Sequence, residues 1–397
     1  MEYSDKNLTD LMFTAMRFSA AIDRKCLEEL SAAGAITDYR DLCVDIDKVK
    51  EIAEQDDISE RTSERLKKIV NEHDDIRRRF DGYLKIASDN DIKIISSDDP
   101  EYPWAWKQLS GMPPVFFCKC NTDLLKKCYT NGAAAMVGSR EPSYYGKQAT
   151  VDYAEHFAER DVVTVSGMAT GIDRIAHSAT LNKGGDTIAI VPGGVDVIYP
   201  PKNKDLYDAI CNRGLVLSEM PPGQAVLKQY FPARNRLISG LADITRIMEA
   251  GQFSGTLHTA SYAASQGKDL FVLPHGIYSA NAIGGLYLIR DGAEVIIDKE
   301  TIDDRIAECL VQRLGQTDVP GNIEDLRKIA EEEPDRLGEA EWKAVIMDRL
   351  TAGPKSFDEL SGLWVIDFSK LSVLLQELEG NKLIGVTEGK YSLTFQR

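Results

Sequence analysis

Short apolar runs in the middle of this chain end repeatedly at turns that contain glycine, and most of these turns precede a helix-like stretch. In a parallel α/β sheet such turns lie along one edge, where ligands bind. The turns would expose backbone N–H groups and contain few side chains suited to acid–base chemistry. The pattern therefore predicts a polar crevice that binds phosphate groups. The turns are residues 137–140, 166–173, 192–194, 218–223, 231–236 and 251–256.

The candidate strands between residues 131 and 297 recur every 24 to 29 residues, and most of the gaps hold a helix-like stretch. This spacing is typical of repeated βαβ units, which build a parallel sheet covered by helices. Helices on both faces follow if the strand order reverses partway, as in doubly wound sheets. The strands are expected to begin near Ala133, Val162, Thr187, Leu215, Ile244, Leu270 and Glu294.

The flanking segments predict further domains. Residues 1–85 have apolar residues at three- and four-residue steps and are expected to form a helical domain, with the α/β domain at 86–300. Residues 301–337 are acidic and broken by glycine and proline, which indicates a linker. Residues 338–397 predict three helices and a hairpin formed by 383–386 and 390–393, the order of a winged helix.

Composition limits the class of protein. No run of 18 apolar residues exists in the 397-residue chain, and the N-terminus lacks the features of a signal peptide, so we expect a cytoplasmic protein. The seven cysteines are expected to be reduced thiols. Cys118, Cys120 and Cys128 lack a fourth ligand and a CxxC spacing, so no metal site and no cofactor are predicted.

Charge is distributed unevenly along the chain. The net charge is −16, which argues against a protein that coats nucleic acid non-specifically. Residues 131–297 carry 14 basic and 16 acidic side chains, so this central block is close to neutral and the acidic excess lies in the flanking segments. A local basic pocket in the central block is therefore compatible with the acidic total. In the last predicted helix Lys370 is opposed by Glu377 and Glu379, so protein interaction is as well supported there as DNA binding.

Several residues at the turns could bind a phosphate. A glycine after a strand lets the backbone approach an anion, and the following helix presents free N–H groups. Arginine forks match phosphate oxygens, and asparagine can address a base edge. A purely structural βα turn explains the first of these turns equally well. The nucleic-acid-binding candidates are Gly138, Ser139, Arg140, Lys147, Ser166, Gly167, Lys202, Arg234, Asn235, Arg236, Ser254, Gly255 and Thr256.

Aromatic and catalytic candidates leave alternatives open. Tyr199, Tyr230 and Phe231 could stack on unpaired bases or pack in the core. Asp173 and His177, four residues apart on one helix, are interpreted as a structural pair rather than an acid–base pair. The chain has no nucleophile elbow and no HExxH motif, and we expect it not to be an enzyme. An alternative class, a nucleotide-sensing or nucleotide-hydrolysing protein, would use Glu219 or Glu249 as its carboxylate.

The motifs in residues 98–295 resemble those of the DNA-processing protein A (DprA/Smf) family. This resemblance implies an extended Rossmann-like domain that binds single-stranded DNA and dimerises. It also implies a role in natural transformation, in which the protein protects incoming strands and loads the RecA recombinase, with no established catalytic reaction. The motifs are 99–103, 137–140, Ser166-Gly167 with 171–173 and 176–177, 193–196 with 199–200, 218–219, 231–236, 249–250, 254–256 and 291–293.

The sequence departs from the family pattern at three places. Thr170 stands where a basic residue is usual, and His275 follows Pro274 in place of glycine. Leu286 and Tyr287 stand where an Asn–Arg pair is usual. The changes at Thr170 and at Leu286 and Tyr287 remove charge or polarity from the predicted crevice. Weaker DNA binding or a different ligand would follow from them.

Overall fold

The computed structural model describes residues 3–316, 323–351, 353–364, 366–380 and 384–393. Short 3-10 turns lie at Pro201–Asn203, Ala280–Ala282 and Pro334–Arg336. The helices are α1 (Asp5–Ala20), α2 (Arg24–Ala32), α3 (Asp41–Val44), α4 (Ile46–Ala53), α5 (Glu60–Asn71), α6 (His73–Asp89), α7 (Trp104–Lys107), α8 (Asp123–Asn131), α9 (Tyr144–Glu159), α10 (Ile172–Asn182), α11 (Lys204–Arg213), α12 (Tyr230–Leu241), α13 (Thr256–Ser265), α14 (Ile283–Arg290), α15 (Glu300–Gln316), α16 (Ile323–Glu332), α17 (Glu339–Thr351), α18 (Phe357–Ser361) and α19 (Phe368–Gly380). The strands are β1 (Lys93–Ser96), β2 (Val115–Cys120), β3 (Ala133–Gly138), β4 (Val163–Ser166), β5 (Thr187–Ile190), β6 (Leu215–Ser218), β7 (Ile244–Glu249), β8 (Asp269–Val272), β9 (Glu294–Val295), β10 (Lys355–Ser356), β11 (Ile384–Thr387) and β12 (Lys390–Leu393).

The chain divides into two compact units. The first unit comprises Met1–Thr122 and Ala189–Leu237, and the second comprises Asp123–Ile188 and Ile238–Arg397. Strand β5 carries the chain from the second unit back into the first. Among the described residues, no helix is both long enough and apolar enough to cross a membrane.

The first unit combines a helical segment with an antiparallel sheet. Helix α1 begins at a capping box in which Ser4 accepts the N–H of Asn7, and it buries Leu11 and Ala15, four residues apart on one face. Strand β2 pairs antiparallel with β1 on one side and with β6 on the other, with Phe117 opposite Ser218. Strand β5 follows β6 in the strand order.

The second unit contains the parallel part of the sheet, in the order β4-β3-β7-β8-β9. The chain leaves β3 to form β4 on one side and later returns to form β7 on the other side. The carboxyl ends of β3 and β7 therefore flank a topological switch point, where open α/β sheets bind ligands. Each predicted strand begins within one residue of its expected position, and the prediction of an α/β fold with a mostly parallel sheet is confirmed.

The parallel strands form because their side chains are buried on both faces, as the near-continuous apolar runs of the sequence predict. Every residue of β4 and β7 is buried. Helices α9 and α10 pack together and contribute Phe157, Ile172 and Ala176 to the same core as Met248 and Phe271. This core holds the loops at the strand ends in position.

Residues 301–337 differ from the expected linker, since they contain helices α15 and α16. Ile302, Ile306 and Leu310 recur every four residues along α15 and are buried in the core of the second unit. Many acidic residues on the remaining positions concealed this apolar face in the sequence. Residues 317–322 lie outside the described part of the chain.

The C-terminal segment contains helices α17, α18 and α19 and a three-stranded sheet in the order β10-β12-β11. Strands β11 and β12 form a hairpin in which Val386 lies opposite Tyr391. Helices α17 and α19 pack against these strands, and their residues Trp342, Leu371 and Leu375 are buried. The expected hairpin residue Leu383 lies outside the described residues. The winged-helix assignment and the role of this segment stay predictions.

Candidate nucleic-acid interface

The ends of β3 and β7 in the second unit are joined by a backbone hydrogen bond. Ser139 donates its N–H to the carbonyl of Glu249 at 2.8 Å. A Cβ atom at Gly138 would lie 2.6 Å from Ile172 Cγ1 and 3.0 Å from the carbonyl oxygen of Glu249. Gly138 is therefore required for close packing at the switch point. Gly138 therefore has a structural role, and its approach to a phosphate group stays a prediction.

The N-terminus of α9 is occupied by an internal carboxylate. Ser143 caps the helix by accepting the N–H of Gly146 at 3.1 Å, and it donates its own N–H to both oxygens of Glu249 at 3.1 Å. The Ser143 hydroxyl also donates to Glu249. The buried Glu249 thus places its carboxyl group at the N-terminus of α9, a position that favours acidic side chains. The amide of Ser143 is thus already engaged within the protein.

His275, one of the departures from the family pattern, lies beside this carboxylate. Its Nδ1 lies 2.9 Å from the carbonyl of Leu273, which can act only as an acceptor, so we assign the Nδ1 proton to this bond. Its Nε2 faces Glu249 Oε2 at 3.4 Å. The ring also makes an edge contact with Tyr145, with 5.1 Å between the centroids. His275 therefore connects the buried Glu249 to an exposed aromatic residue.

The turn before α10 packs against the turn after β3. Gly171 has a φ of +78°, and a Cβ there would lie 2.2 Å from the carbonyl oxygen of Ser139. Ile172 donates its N–H to that same oxygen at 3.0 Å. Asp173, in the first turn of α10, accepts the N–H of Ala169 at 3.3 Å. A carboxylate is favourable at this end of a helix. The turn is fixed by these contacts within the protein.

His177 and the predicted Ser166-Gly167 site face inward. His177 Nδ1 lies 2.6 Å from Thr187 Oγ1, and both residues are fully buried. The Ser166 hydroxyl donates to the Met136 carbonyl at 2.6 Å, and Gly167 is buried beside it. The prediction that Ser166 and Gly167 present binding groups to a ligand is therefore corrected, because β4 ends inside the core.

The turn after β7 is more accessible. Thr256 donates its N–H to the Ser254 hydroxyl at 3.2 Å, which orders the start of α13. Gly255 is exposed, and a Cβ at this position would have open space around it. Thr256 itself is buried. Of these three predicted residues, Gly255 is the one that the fold presents at the surface.

The loops at the carboxyl ends of β3, β7 and β8 carry exposed basic and aromatic side chains, which we call the loop surface. Arg140 and Lys147 are exposed, as the sequence predicted for phosphate contacts. The aromatic residues were not among the candidates predicted from the sequence. Their position directly after the Ser143 cap, or within loops that follow strands, is the signal that could have identified them. The exposed fractions are Tyr144 78%, Tyr145 49%, Phe253 94% and Tyr278 96%.

Arg236, in the first unit, forms an ion pair with Glu219, and its role as a DNA contact stays a prediction. Its Nη2 contacts one oxygen of Glu219, and Arg17 Nη2 contacts the other at 2.6 Å. Burial would raise the pKa of Glu219, but Arg17 and Arg236 hold that pKa below its usual range. The positive charge expected to contact phosphates is therefore balanced within the protein. Arg17 could not be predicted as a partner of Glu219 from the local sequence, because the two residues lie 202 positions apart in the chain.

The neighbouring candidates of the first unit differ in exposure. Arg234 is 7% exposed, donates from Nη1 to the carbonyl of Ile190 and donates from Nε to Asn235 Oδ1 at 3.1 Å. Arg234 thus bonds inside the unit, and its role as a phosphate contact stays a prediction. Lys202 is exposed on its 3-10 turn. The Phe231 ring contacts Tyr199 at 5.7 Å between centroids.

A cavity of about 490 Å³ in the first unit includes the ion pairs of Glu219 in its wall. Arg17, Glu219 and Arg236 lie on one part of this wall, and Tyr102 and Trp106 lie on another. The size falls in the range of small-molecule sites. No predicted DNA contact other than Arg236 lines it.

Parallel strands with a reversal of order, and glycine turns at their carboxyl ends, define a Rossmann-like α/β protein of the class that binds ligands at the switch point. The family model of DNA recombination-mediator protein A matches residues 93–307, just over half of the chain. The chain belongs to this family.

Individual relatives agree with the family match. Protein Smf of Synechocystis is 36% identical over 220 residues, which are 55% of this chain and 55% of that protein. DNA processing protein DprA of Streptococcus pneumoniae is 41% identical over 204 residues, 51% of this chain and 71% of that protein. The X-ray structure of the S. pneumoniae protein superposes with a TM-score of 0.55 and 31% identity, and it covers 74% of this chain and 95% of that chain. The chain thus matches about half the length of the Synechocystis relative.

Proposed function

We propose that the chain is a single-stranded DNA-binding protein that acts in DNA processing, and that it holds the strand on the loop surface of the second unit. The observation that carries the proposal is the group of exposed aromatic rings beside Arg140 and Lys147 at the switch-point edge. Such rings stack on unpaired bases, whose faces are hidden in duplex DNA. Family membership supports the same class of ligand.

Stacking would supply most of the affinity. Tyr144 and Tyr145 stand at the first turn of α9, which begins directly after the Ser143 cap. The contact between Tyr145 and His275 fixes the ring from one side while leaving about half of the side chain exposed. Each base stacked on an aromatic ring contributes about 1–3 kcal/mol. Two stacked bases therefore contribute about 2–6 kcal/mol together.

Basic residues would contribute the salt-dependent part of the binding. Arg140 and Lys147 lie on the same loop and helix as the two tyrosines, and Glu141 is the acidic residue between them. The local charge is thus weakly positive on a chain of net charge −16. We expect moderate affinity, strongest at low ionic strength. The role of Lys202, which lies in the first unit, stays a separate prediction from the sequence.

The more specific roles rest on the family alone. We propose that the chain forms a homodimer, protects incoming single strands during natural transformation and delivers them to the RecA recombinase. We also propose that it catalyses no reaction. Glu219 and Glu249, the carboxylates that a nucleotide-hydrolysing protein would need, are both engaged in contacts within their own units. These contacts favour structural roles for both residues.

A competition experiment tests the proposed ligand. A fluorescent oligothymidine of about 20 nucleotides is titrated with the full chain, and unlabelled single-stranded or duplex DNA of the same length is added. We expect the single strand to displace the probe at concentrations at least about tenfold lower than the duplex, with weaker binding as salt is raised. Equal competition by the duplex would reject the stacking mode, and absence of binding at low salt would reject the function.

A further inference from the structure

The cavity of about 490 Å³ lies inside the first unit, and every residue that lines it belongs to that unit. Helix α1 and the start of α2 form one part of its wall, and the loop 109–114 after α7 forms another. Two hydrogen bonds hold this loop. The Tyr102 hydroxyl donates to the Pro113 carbonyl at 2.6 Å, and Ser97 donates its N–H to the Pro114 carbonyl at 2.9 Å. The cavity is therefore formed before a ligand binds, as most small-molecule sites are.

The lining of the cavity has an excess of positive charge. Four basic side chains line it against two acidic ones, although the net charge of the chain is −16. Both acidic side chains are already paired with arginines. Arg65 contacts Asp23 at 2.8 Å, and Arg17 and Arg236 share Glu219. The positive excess is therefore available to attract an anion. The basic lining residues are Arg17, Arg24, Lys107 and Arg236.

Two of these basic residues keep donors for a ligand. Arg17 uses its Nη2 for the contact with Glu219, and its Nε and Nη1 have no hydrogen-bond partner among the residues that the structure describes. The Arg17 side chain is 27% exposed, so a ligand can reach these groups. Lys107 is exposed and forms no ion pair within the described part of the chain. Guanidinium and ammonium groups are the donors that bind carboxylate and phosphate oxygens in proteins.

Apolar side chains also line the cavity. Leu27, Leu109 and Met112 are half-buried, so each of them leaves apolar surface uncovered. A ligand with an apolar body would remove this surface from water, which favours binding. An inorganic anion would use the basic residues and leave the apolar surface exposed. The lining is thus better matched by an organic anion than by an inorganic one.

We propose that this cavity binds a small organic anion, in which a carboxylate or a phosphate monoester is attached to an apolar body. The anionic group accepts hydrogen bonds from Arg17, and the charge of Lys107 attracts it. The apolar body lies against Leu27, Leu109 and Met112. None of the residues of the loop surface lines the cavity, so this site is separate from the proposed DNA site.

The test uses the full chain and three probes: 4-phenylbutyrate, phenyl phosphate and the uncharged 4-phenylbutanol. Saturation-transfer NMR detects binding of each probe, and a titration gives its Kd. We expect at least one of the two anions to bind with a Kd below about 1 mM, and the alcohol to bind at least about tenfold more weakly. Binding of one anion alone identifies the preferred charged group. Failure of both anions to bind, or equal binding by the alcohol, would overturn the proposal.

Two variants and a control locate the bound anion. Lys107→Glu reverses an exposed charge of the lining and is expected to raise the Kd at least about fivefold. Lys50→Glu makes the same change at an exposed lysine of α4 that does not line the cavity, and it should bind like the parent. Arg17→Gln is expected to raise the Kd at least about tenfold, with circular dichroism to verify folding. Since Arg17 also pairs with Glu219, Lys107→Glu decides the outcome if Arg17→Gln does not fold. An unchanged Kd in Lys107→Glu would overturn the proposal.

Discussion

Arg236 contacts one carboxylate oxygen of Glu219, while Arg17 contacts the other at 2.6 Å. The side chain of Glu219 is almost fully buried, so its charge depends on these two partners. Loss of Glu219 would leave two guanidinium groups without their shared anion in a partly buried site. The three residues therefore contribute to the stability of the first unit, and the charge of Arg236 is paired with Glu219 in the folded chain.

Substitution Glu219→Ala is expected to lower the free energy of unfolding by about 3 kcal/mol, since breaking a buried ion pair costs about that much. Urea unfolding followed by circular dichroism measures the change. Glu28→Ala is the matched control, because Glu28 pairs with Arg24 on the exposed surface of α2 and should change stability by less than about 0.5 kcal/mol. Equal effects of the two substitutions would argue against a buried, stabilising carboxylate.

The same carboxylate predicts a pH dependence. The pKa of Glu219 is lower in the folded chain than its unfolded value of about 4.3. Its contribution to stability is therefore fully present above that value and is lost as pH falls towards the folded pKa. The difference in unfolding free energy between the parent and Glu219→Gln should be constant from pH 7 to about 5.5 and should shrink below about pH 4.5. A difference independent of pH over this range would show that Glu219 is not held ionised by its arginines.

Gly171 is expected to tolerate no side chain. Its φ of +78° disfavours other residues, and a Cβ would collide with the Ser139 carbonyl of the neighbouring turn. Gly171→Ala should therefore lower the free energy of unfolding by about 3 kcal/mol. Gly255→Ala is the control, because its φ is negative and its Cβ would meet open space, so a change below about 0.5 kcal/mol is expected. Thermal unfolding measures the stability of both variants. A Gly171→Ala variant as stable as the parent would contradict this packing of the two turns.

Substitutions of the two tyrosines at the start of α9 test whether their aromatic rings contribute to DNA binding. Tyr144→Ala with Tyr145→Ala is expected to weaken single-stranded DNA binding by about 1–3 kcal/mol per stacked base. Tyr144→Phe with Tyr145→Phe keeps both rings and should bind like the parent. Fluorescence anisotropy with a labelled oligonucleotide measures both variants at one salt concentration. If the phenylalanine variant loses as much affinity as the alanine variant, the hydroxyl groups and not the rings bind the strand.

The sequence allowed the parallel sheet to be predicted strand by strand, because buried parallel strands read as apolar runs at regular spacing. Other features depend on contacts that the local pattern does not contain. The ion pairs that Glu219 makes with Arg236 and Arg17 join residues far apart in the chain, so the sequence did not predict them. Ser166 follows an apolar run, yet its hydroxyl bonds to Met136 in the core. The exposure of Tyr144 and Tyr145 likewise follows from the packing of α9 and not from their residue type.

The location of the DNA site is tested most directly by removing the basic residues of the loop surface. Arg140→Ala with Lys147→Ala is compared with Arg61→Ala and Lys68→Ala, a pair of exposed basic residues on α5. Anisotropy titrations with a labelled single strand are run at several salt concentrations. We expect the loop-surface variant to bind at least about tenfold more weakly at low salt, with a salt slope reduced by about 1.4, and the α5 variant to bind like the parent. Unchanged affinity and slope in the loop-surface variant would contradict the proposed site.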